Sequence, residues 1–360
     1  SFSLTMETCA EIYDKPGTRI TKPLRIGEYS SHANLKVEPN SNNLRYLIHV
    51  EEDFEALFRK AHRMRCLPKF ELDAGFKNYI AKNPKDYGND LLAMQKWAIS
   101  QWKESGQDFN KVFRNAEIVC DLETLTDIAK TPFCKRDQWR MVAVRHNGII
   151  YLHDCGVIDG TKFGPPRDKT DAHLTYWNHK FDKVMTSRNP DLAKRGTFNA
   201  AEPVDCRETY SAVYRLDIIM PGGEQIKLAY SSEIKAIDEK DNYVDFKTQA
   251  SHLSNDFYLK KAWLWWLECH FASVDRIYAG IRSEIGEVHK VETVQKSLLR
   301  ERAGSKCDVA MTFLSTVLSE VKERCKNTLQ LSYCPKTQRV HFDAVNRNTD
   351  FLIQDFLAKR

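Results

Sequence analysis

The sequence predicts an α+β protein, with mixed, largely antiparallel central β-sheets, helices packed outside them, and one domain over residues 1–360. Three observations lead there. Strand-like segments come in hairpin-forming pairs between Trp139 and Thr248. Apolar residues at helical spacing lie on both sides of them. With 42% hydrophobic and 29% charged residues, a chain of 360 has the composition and length for one large core.

In the first fifty residues, Pro16-Gly17, Pro23, Gly27 and Pro39 favour extended segments and turns, so this part is expected to wrap the core as short strands. From Glu51, the residues Phe54, Leu57, Phe58 and Ala61 recur at helical spacing, and Leu91 to Trp102 repeats the pattern with Leu92 and Ile99; two amphipathic helices follow. Met141-Val142-Ala143-Val144 and Ile149-Ile150-Tyr151-Leu152 read as strands within Trp139 to Leu152. Asn147-Gly148 joins them, a pair that tolerates the positive φ of a tight hairpin turn. A second hairpin runs through Ala212 to Met220, turns at Pro221-Gly222-Gly223 and returns as one strand from Gln225 to Ile237. After the charged turn Asp238 to Asn242, Tyr243 to Thr248 is expected to be the third strand of the same meander. A helix from about Phe257 to Phe271, a strand at Arg276 to Arg282, helices near Cys307 to Cys325 and a short strand at Arg339 to Phe342 complete the reading.

Composition excludes several classes. No run approaches the roughly 20 apolar residues of a membrane-spanning helix, and Ser1-Phe2-Ser3-Leu4 lacks the layout of a signal peptide. An intracellular protein, nuclear or cytoplasmic and without a membrane partner, is therefore expected. Ten cysteines show no CxxC pair, so reduced, mostly buried thiols are expected, and eleven histidines show no HxxxH grouping. A net charge of +5 is too small to argue for nucleic-acid binding by itself. Local basic clusters at Arg59-Lys60 with Arg63 and Arg65, and at Lys260-Lys261, have a solvated helix face as their simplest explanation. Trp263, Trp265 and Trp266 have core packing as theirs.

Chemistry concentrates in two neighbouring strands. Glu233 and Lys235 lie two apart on one, and Asp245 and Lys247 two apart on the next, so each pair projects to one face. An acid followed on the adjoining strand by acid-x-Lys is the layout of metal-dependent nucleases. Carboxylates hold Mg2+ or Mn2+, the ion acidifies a water, and the lysine steadies hydroxide or phosphate. An exposed Asp-x-Lys is also common as a merely solvated strand face. A rival pair, Glu202 and Asp205, is three apart and so falls on opposite pleat faces, and Asp238 has the wrong parity relative to Glu233.

The surrounding segments are specific. Tyr176-Trp177-Asn178-His179-Lys180-Phe181-Asp182, Tyr243-Val244-Asp245-Phe246-Lys247-Thr248, Phe257-Tyr258 through Trp265-Trp266-Leu267-Glu268, and Ile277-Tyr278-Ala279-Gly280-Ile281-Arg282 occur in the order and spacing that resemble the DXO family of decapping exoribonucleases. Thr131-Pro132-Phe133 with Trp139 and Arg145-His146-Asn147-Gly148 also resembles the family, and the resemblance covers roughly Val119 to Arg282. It implies a DXO-like nuclease fold and an active site altered position by position. The family's glycine falls on Asn178, its motif glutamate on Asp182, and the second carboxylate of its Glu-x-Asp strand on Lys235. The acid of its Glu-x-Lys strand falls on Asp245, a substrate-side glutamine on Glu268, and an arginine on Leu122. Glu233 and Lys247 are unaltered.

The resemblance thus implies family active-site positions at Asp182, Glu233, Lys235, Asp245, Lys247 and Glu268, partly degenerate. It implies a metal set of Glu233, Asp245 and Asp182 that is weak or lost, and RNA contacts at Lys180, Lys247 and Arg282. The expectation is a catalytically impaired relative retained for binding single-stranded RNA 5′ ends or a protein partner in RNA processing, with no high-affinity cofactor. The alternative is an active, divergent RNA decapping hydrolase or 5′–3′ exoribonuclease using Mg2+ or Mn2+. It would place its ion with Glu233, Asp245, Asp182 and a compensating acid such as Glu268 or Asp238.

Overall fold

Alternation along the strands decides the layering. The computed structural model describes residues 4–15, 17–50, 54–57, 59, 70–82, 90–134, 137–155, 169–345 and 351–359. The strands among these are β1 Leu4–Glu7, β2 Arg19–Ile20, β3 Leu24–Ser31, β4 Val37–Glu38, β5 Tyr46–Leu47, β6 Phe70–Glu71, β7 Ile118–Asp121, β8 Trp139–His146 and β9 Ile149–Asp154. They continue with β10 Thr186–Ser187, β11 Thr209–Ile219, β12 Gln225–Ile234, β13 Ala236–Ile237, β14 Tyr243–Gln249, β15 Arg276–Arg282, β16 Glu287–Gln295, β17 Thr328–Cys334 and β18 Arg339–Ala344. The longer helices are α1 Asp90–Ser105, α2 Leu122–Lys130, α3 Lys169–Met185, α4 Asn255–Phe271, α5 Lys296–Ala303 and α6 Lys306–Arg324.

Two mixed sheets form. One runs β1-β18-β17-β8-β9-β7-β12-β11-β3-β4, with β2 also on β11, and the other runs β10-β5-β13-β14-β15-β16-β6. Most neighbours are antiparallel; β12 with β7, β7 with β9, β13 with β5 and β14 with β15 are parallel. This is the α+β class read from the sequence.

Residues two apart share a face. Trp139, Met141 and Ala143 of β8, Ile226, Leu228 and Tyr230 of β12, and Tyr210, Ala212 and Tyr214 of β11 join one core with Leu125 of α2, Leu267 of α4 and Phe313 of α6. Their neighbours Val142, Val144, Val213 and Ala229 join a second core on the other face, with Leu91, Met94 and Trp97 of α1 and with Leu352 and Phe356 near the C-terminus. A third core sets Tyr176, Trp177 and Phe181 of α3 against Val244, Phe246 and Tyr278 of the smaller sheet. Trp263 and Trp265 are buried and Trp266 packs partly buried against the same first core, so the tryptophan stripe is packing.

The structure corrects the reading in three places. The strand expected from Gln225 to Ile237 is broken: β12 ends at Ile234, and the chain passes through Lys235 into β13 of the other sheet. Tyr243–Gln249 therefore belongs to the smaller sheet and does not extend the β11–β12 meander. The N-terminal segment does more than wrap, because the eight residues of β3 lie between β11 and β4 inside the larger sheet. The Asn147-Gly148 turn forms as expected, with φ of 49° and 84°. Of the helix expected from Glu51, residues 54–57 and 59 are helical, and the rest, with Lys60, Arg63 and Arg65, lies outside the described residues. No helix among the described residues is long and apolar enough to cross a membrane.

Gly280 shows how tightly α3 seats on the smaller sheet, since a Cβ there would stand 2.8 Å from the buried Phe181 ring. Gly280→Ala is expected to displace Phe181 and with it the adjacent Asp182, destabilising the fold by about 1–3 kcal/mol. Guanidinium unfolding would show this as a lower midpoint with an unchanged slope.

Candidate active site

The break at Lys235 builds the site. Glu233 stands at the end of β12, opposite Ser211 on β11 and on the face away from Tyr230 and the first core. Lys235 occupies the seam between the sheets. The turn beyond it is held by Asp238, whose Oδ1 accepts from the backbone N–H of Lys240 and of Asn242 at 2.9 Å each. β14 then returns with Val244 and Phe246 against α3, which leaves Asp245 and Lys247 on the face toward α4. The Ser254 hydroxyl caps α4 by accepting from the Phe257 N–H, and Glu268 lies in that helix's last turn. From the other side α3 supplies Asp182. It is tied to β14 by a hydrogen bond from the Thr248 hydroxyl to the Asn178 carbonyl oxygen of the side chain.

Two lysines are interleaved with four carboxylates. Lys235 Nζ donates to Glu233 Oε1 at 2.7 Å and stands 3.4 Å from Asp182 Oδ2. Lys247 Nζ donates to Glu268 Oε2 at 2.7 Å and stands 3.2 Å from Asp245 Oδ2. A third cation, Lys82, approaches Glu233 Oε2 at 3.5 Å. Burial pushes the Glu233 carboxyl up, but Lys235 and Lys82 outweigh it and hold the group well below its ordinary value. Burial lowers Lys235 and Lys247, and their carboxylate neighbours more than reverse this, so both stay charged. Asp182 behaves differently. Burial raises it to about 6 against the pull of Lys235, with Asp245 and Glu233 adding to the rise.

Glu233, Lys235, Asp245, Lys247 and Glu268 all line one cavity of about 490 Å3. Its opposite wall comes from the β7–α2 junction, where Asp121 accepts from the Thr124 N–H and hydroxyl at 2.7 and 2.9 Å, and Lys130 pairs with Asp127 at 2.5 Å. Leu122, where the resemblance expects an arginine, lines the same cavity. Asp182 sits behind, against a smaller chamber of about 140 Å3 that shares Glu233, Lys235 and Lys82 with the main cavity.

Several expected residues are placed elsewhere. Lys180 is 1% exposed and donates to the Glu202 carbonyl at 2.9 Å, so its ammonium is used inside the fold and does not line the cavity. Arg282 lies over the Trp177 ring at 4.8 Å and is buried there, also outside the cavity. Only Lys247 of the three residues expected to contact RNA faces the cleft. Asp238 is committed to its turn. The rival acids are structural: Glu202 receives both Arg45 nitrogens at 2.7 and 2.8 Å, and Asp205 pairs with Arg207 at 2.7 Å. Sequence reasoning missed Lys82, which arrives from a distant segment with no local pattern. It also missed the α2 wall, for which Asp121 with Thr124 three residues on is a legible helix-start signal.

The donor set does not fit a divalent ion. Glu233 and Asp182 direct their oxygens to Lys235 Nζ, and Asp245 and Glu268 direct theirs to Lys247 Nζ. Among the described residues, no three His, Cys, Asp or Glu groups come together as a ligand set. An ion placed among these oxygens would meet an ammonium at contact range, and two like unit charges 4 Å apart repel by about 4 kcal/mol at an effective dielectric near 20.

Comparison with known proteins places this geometry. The chain is 28% identical over 277 residues to the decapping nuclease dom-3 of Caenorhabditis elegans, covering 73% of the chain and 67% of that protein. It is 24% identical over 331 residues to the decapping and exoribonuclease protein of Mus musculus, covering 88% and 78%. Among solved structures, Candida albicans Rai1 in complex with pU5-Mn2+ superposes with a TM-score of 0.77 at 15% identity over 99% of the chain and 98% of its own. Scheffersomyces stipitis Rai1 in complex with (3'-NADP)+ and calcium ion follows at 0.76 and 14%, over 96% and 97%. The family profile described as RAI1 like PD-(D/E)XK nuclease matches residues 21–357, a span that contains both sheets' central strands and every lysine and carboxylate of the cavity. The chain belongs to that RAI1-like nuclease family.

Proposed function

We propose that the chain is a catalytically impaired member of this family, kept for binding RNA 5′ ends rather than for cleaving them. One observation carries the reading: Lys235 Nζ sits between Glu233 and Asp182, at 2.7 and 3.4 Å, where the family resemblance expects a second carboxylate of the metal strand. The ammonium neutralises the acids that an ion would otherwise neutralise. Altered residues at Asn178, Asp182, Asp245, Glu268 and Leu122 add to it, since Mg2+ geometry tolerates little change in reach.

RNA is the favoured ligand because the fold-related Candida albicans Rai1 holds pU5 and because the cavity is open and lined by charged side chains beside apolar ones. The basic residues that face it are Lys82, Lys130, Arg207, Lys235 and Lys247, set against six acids. That balance makes a weak, salt-sensitive interaction the expected one. Fluorescence anisotropy with single-stranded RNA should give binding that weakens severalfold or more between 50 and 200 mM salt, as phosphate contacts are lost. Absence of binding at low salt would leave the protein-partner reading.

The active alternative has one observation on its side, the retained Glu233 and Lys247 on a common cavity. Digestion of 5′-monophosphate, triphosphate and capped RNAs with Mg2+ and Mn2+ separates the two. No metal-dependent product is expected from the wild type. Lys235→Asp removes the ammonium and returns an oxygen donor, and should raise Mn2+ affinity in calorimetry on the order of tenfold or more. Tight Mn2+ binding and RNA cleavage by the wild type, both abolished in Glu233→Ala, would establish the enzyme instead.

The same electrostatics predict a pH dependence. Burial, helped by Lys235, lowers the His179 imidazole from its ordinary value to about 4, so it is neutral in the fold at pH 7. A histidine whose folded value is depressed contributes stability above its unfolded value, and loses it as pH falls through the folded one. Wild type should therefore lose on the order of 2 kcal/mol more than His179→Gln between pH 7 and 4.5. Denaturant midpoints of both proteins at the two pH values measure the difference.

A further inference from the structure

The small chamber behind Lys235 contains a cation that the active-site geometry does not use. Lys183 follows Asp182 on α3 and is 9% exposed, yet its Nζ makes no hydrogen bond or ion pair with any described residue. Every acid lining the chamber is in contact with a cation other than Lys183: Asp182 and Glu233 share Lys235, Glu233 also meets Lys82, Asp205 has Arg207, and Glu208 has Arg188 at 2.6 Å. Arg45 is held by Glu202. Glu202 and Asp182 attract the Lys183 ammonium from beyond contact range, which leaves its donors unused in a half-open chamber, and a largely buried ammonium with no hydrogen-bond acceptor is costly unless something supplies one.

Size narrows the occupant. At about 140 Å3 the chamber holds a few waters, ~30 Å3 each, and lies well below the ~300 Å3 at which pockets begin to hold larger organic ligands. A single tetrahedral oxyanion fits and a nucleoside does not. Thr209 and Asn43 line the chamber; a threonine hydroxyl can donate to such an anion, as can the second amide hydrogen of Asn43, whose first goes to the Ser31 carbonyl at 2.8 Å, and Lys82 stands at the shared wall with the main cavity.

We propose that this chamber is a phosphate site, with Lys183 as its anchoring cation. Inorganic phosphate and the terminal 5′-phosphate of an RNA lying in the main cavity present the same chemistry, and only the second rests on the RNA-binding reading above.

The test uses the intact chain. Inorganic phosphate is titrated by calorimetry at fixed ionic strength against chloride, for wild type, Lys183→Met and Lys183→Arg. The expected result is saturable binding that weakens at least tenfold in Lys183→Met and persists in Lys183→Arg. In wild type alone, phosphate should also slow acetylation of Lys183 by an amine-reactive reagent, read by peptide mass spectrometry, which needs no variant to fold. Anisotropy with 5′-phosphorylated and 5′-hydroxyl RNA separates the sources. A preference for the phosphorylated end that disappears in Lys183→Met assigns the site to RNA. Phosphate binding without RNA binding leaves the site standing and removes the RNA reading. RNA binding with neither phosphate binding nor end preference leaves that reading standing and overturns the site. Equal phosphate affinity in Lys183→Met, or no protection of Lys183, also overturns it.

Discussion

The passage of the chain from one sheet to the other at Lys235 is the constraint on which the site depends. A strand that continued in one sheet would alternate Glu233 and Lys235 on a single pleated face, in reach of only that sheet's neighbours. By breaking after Ile234 and resuming at Ala236 in the smaller sheet, the backbone places Lys235 at the seam. There its side chain reaches both Glu233 on the larger sheet and Asp182 on α3. The seam is held from both sides. Arg25 of β3 donates to the Tyr243 hydroxyl of β14 at 2.7 Å, and Tyr210 of β11 lies 3.2 Å from the same oxygen.

Packing makes this arrangement rigid. Alternate residues of the larger sheet feed two cores, one under α2, α4 and α6 and one under α1, while the smaller sheet buries Phe246 and Tyr278 against α3. The helices that carry Glu268 and Asp182 are therefore seated by apolar faces that have nothing to do with charge. Each carboxylate is presented from an element whose position the polar residues do not control, which is how a buried cluster of opposite charges can be held at hydrogen-bonding distance.

Within that frame the lysines decide the chemistry. A cavity lined by Glu233, Asp245 and Glu268 would, without Lys235 and Lys247, gather negative charge at the seam between the sheets. With them the charges are satisfied internally, and the Glu233 carboxylate is stabilised as an anion by ammonium groups.

Much of this was legible in the sequence, and the reasons it stopped are physical. Local pattern determined the β8–β9 hairpin through Asn147-Gly148, helix α4, and strand β15 from Arg276 to Arg282, because turn chemistry and side-chain period act within a few residues. The spacing of Glu233, Lys235, Asp245 and Lys247, with the motif residues around them, marked the cluster that the fold gathers at one cavity. Tertiary structure alone decided the sheet switch at Lys235, which no local period encodes, and the arrival of Lys82 from a segment some 150 residues away. It also decided which cations face the cleft. Lys180 and Arg282 sit in matching motifs, yet one is spent on the Glu202 carbonyl and the other on Trp177. Lys183, one residue beyond the motif, lines the smaller chamber beside Arg45, Lys82 and Lys235. A sequence specifies which charges a chain carries; where each finds its partner is settled by elements distant along the chain and adjacent in space.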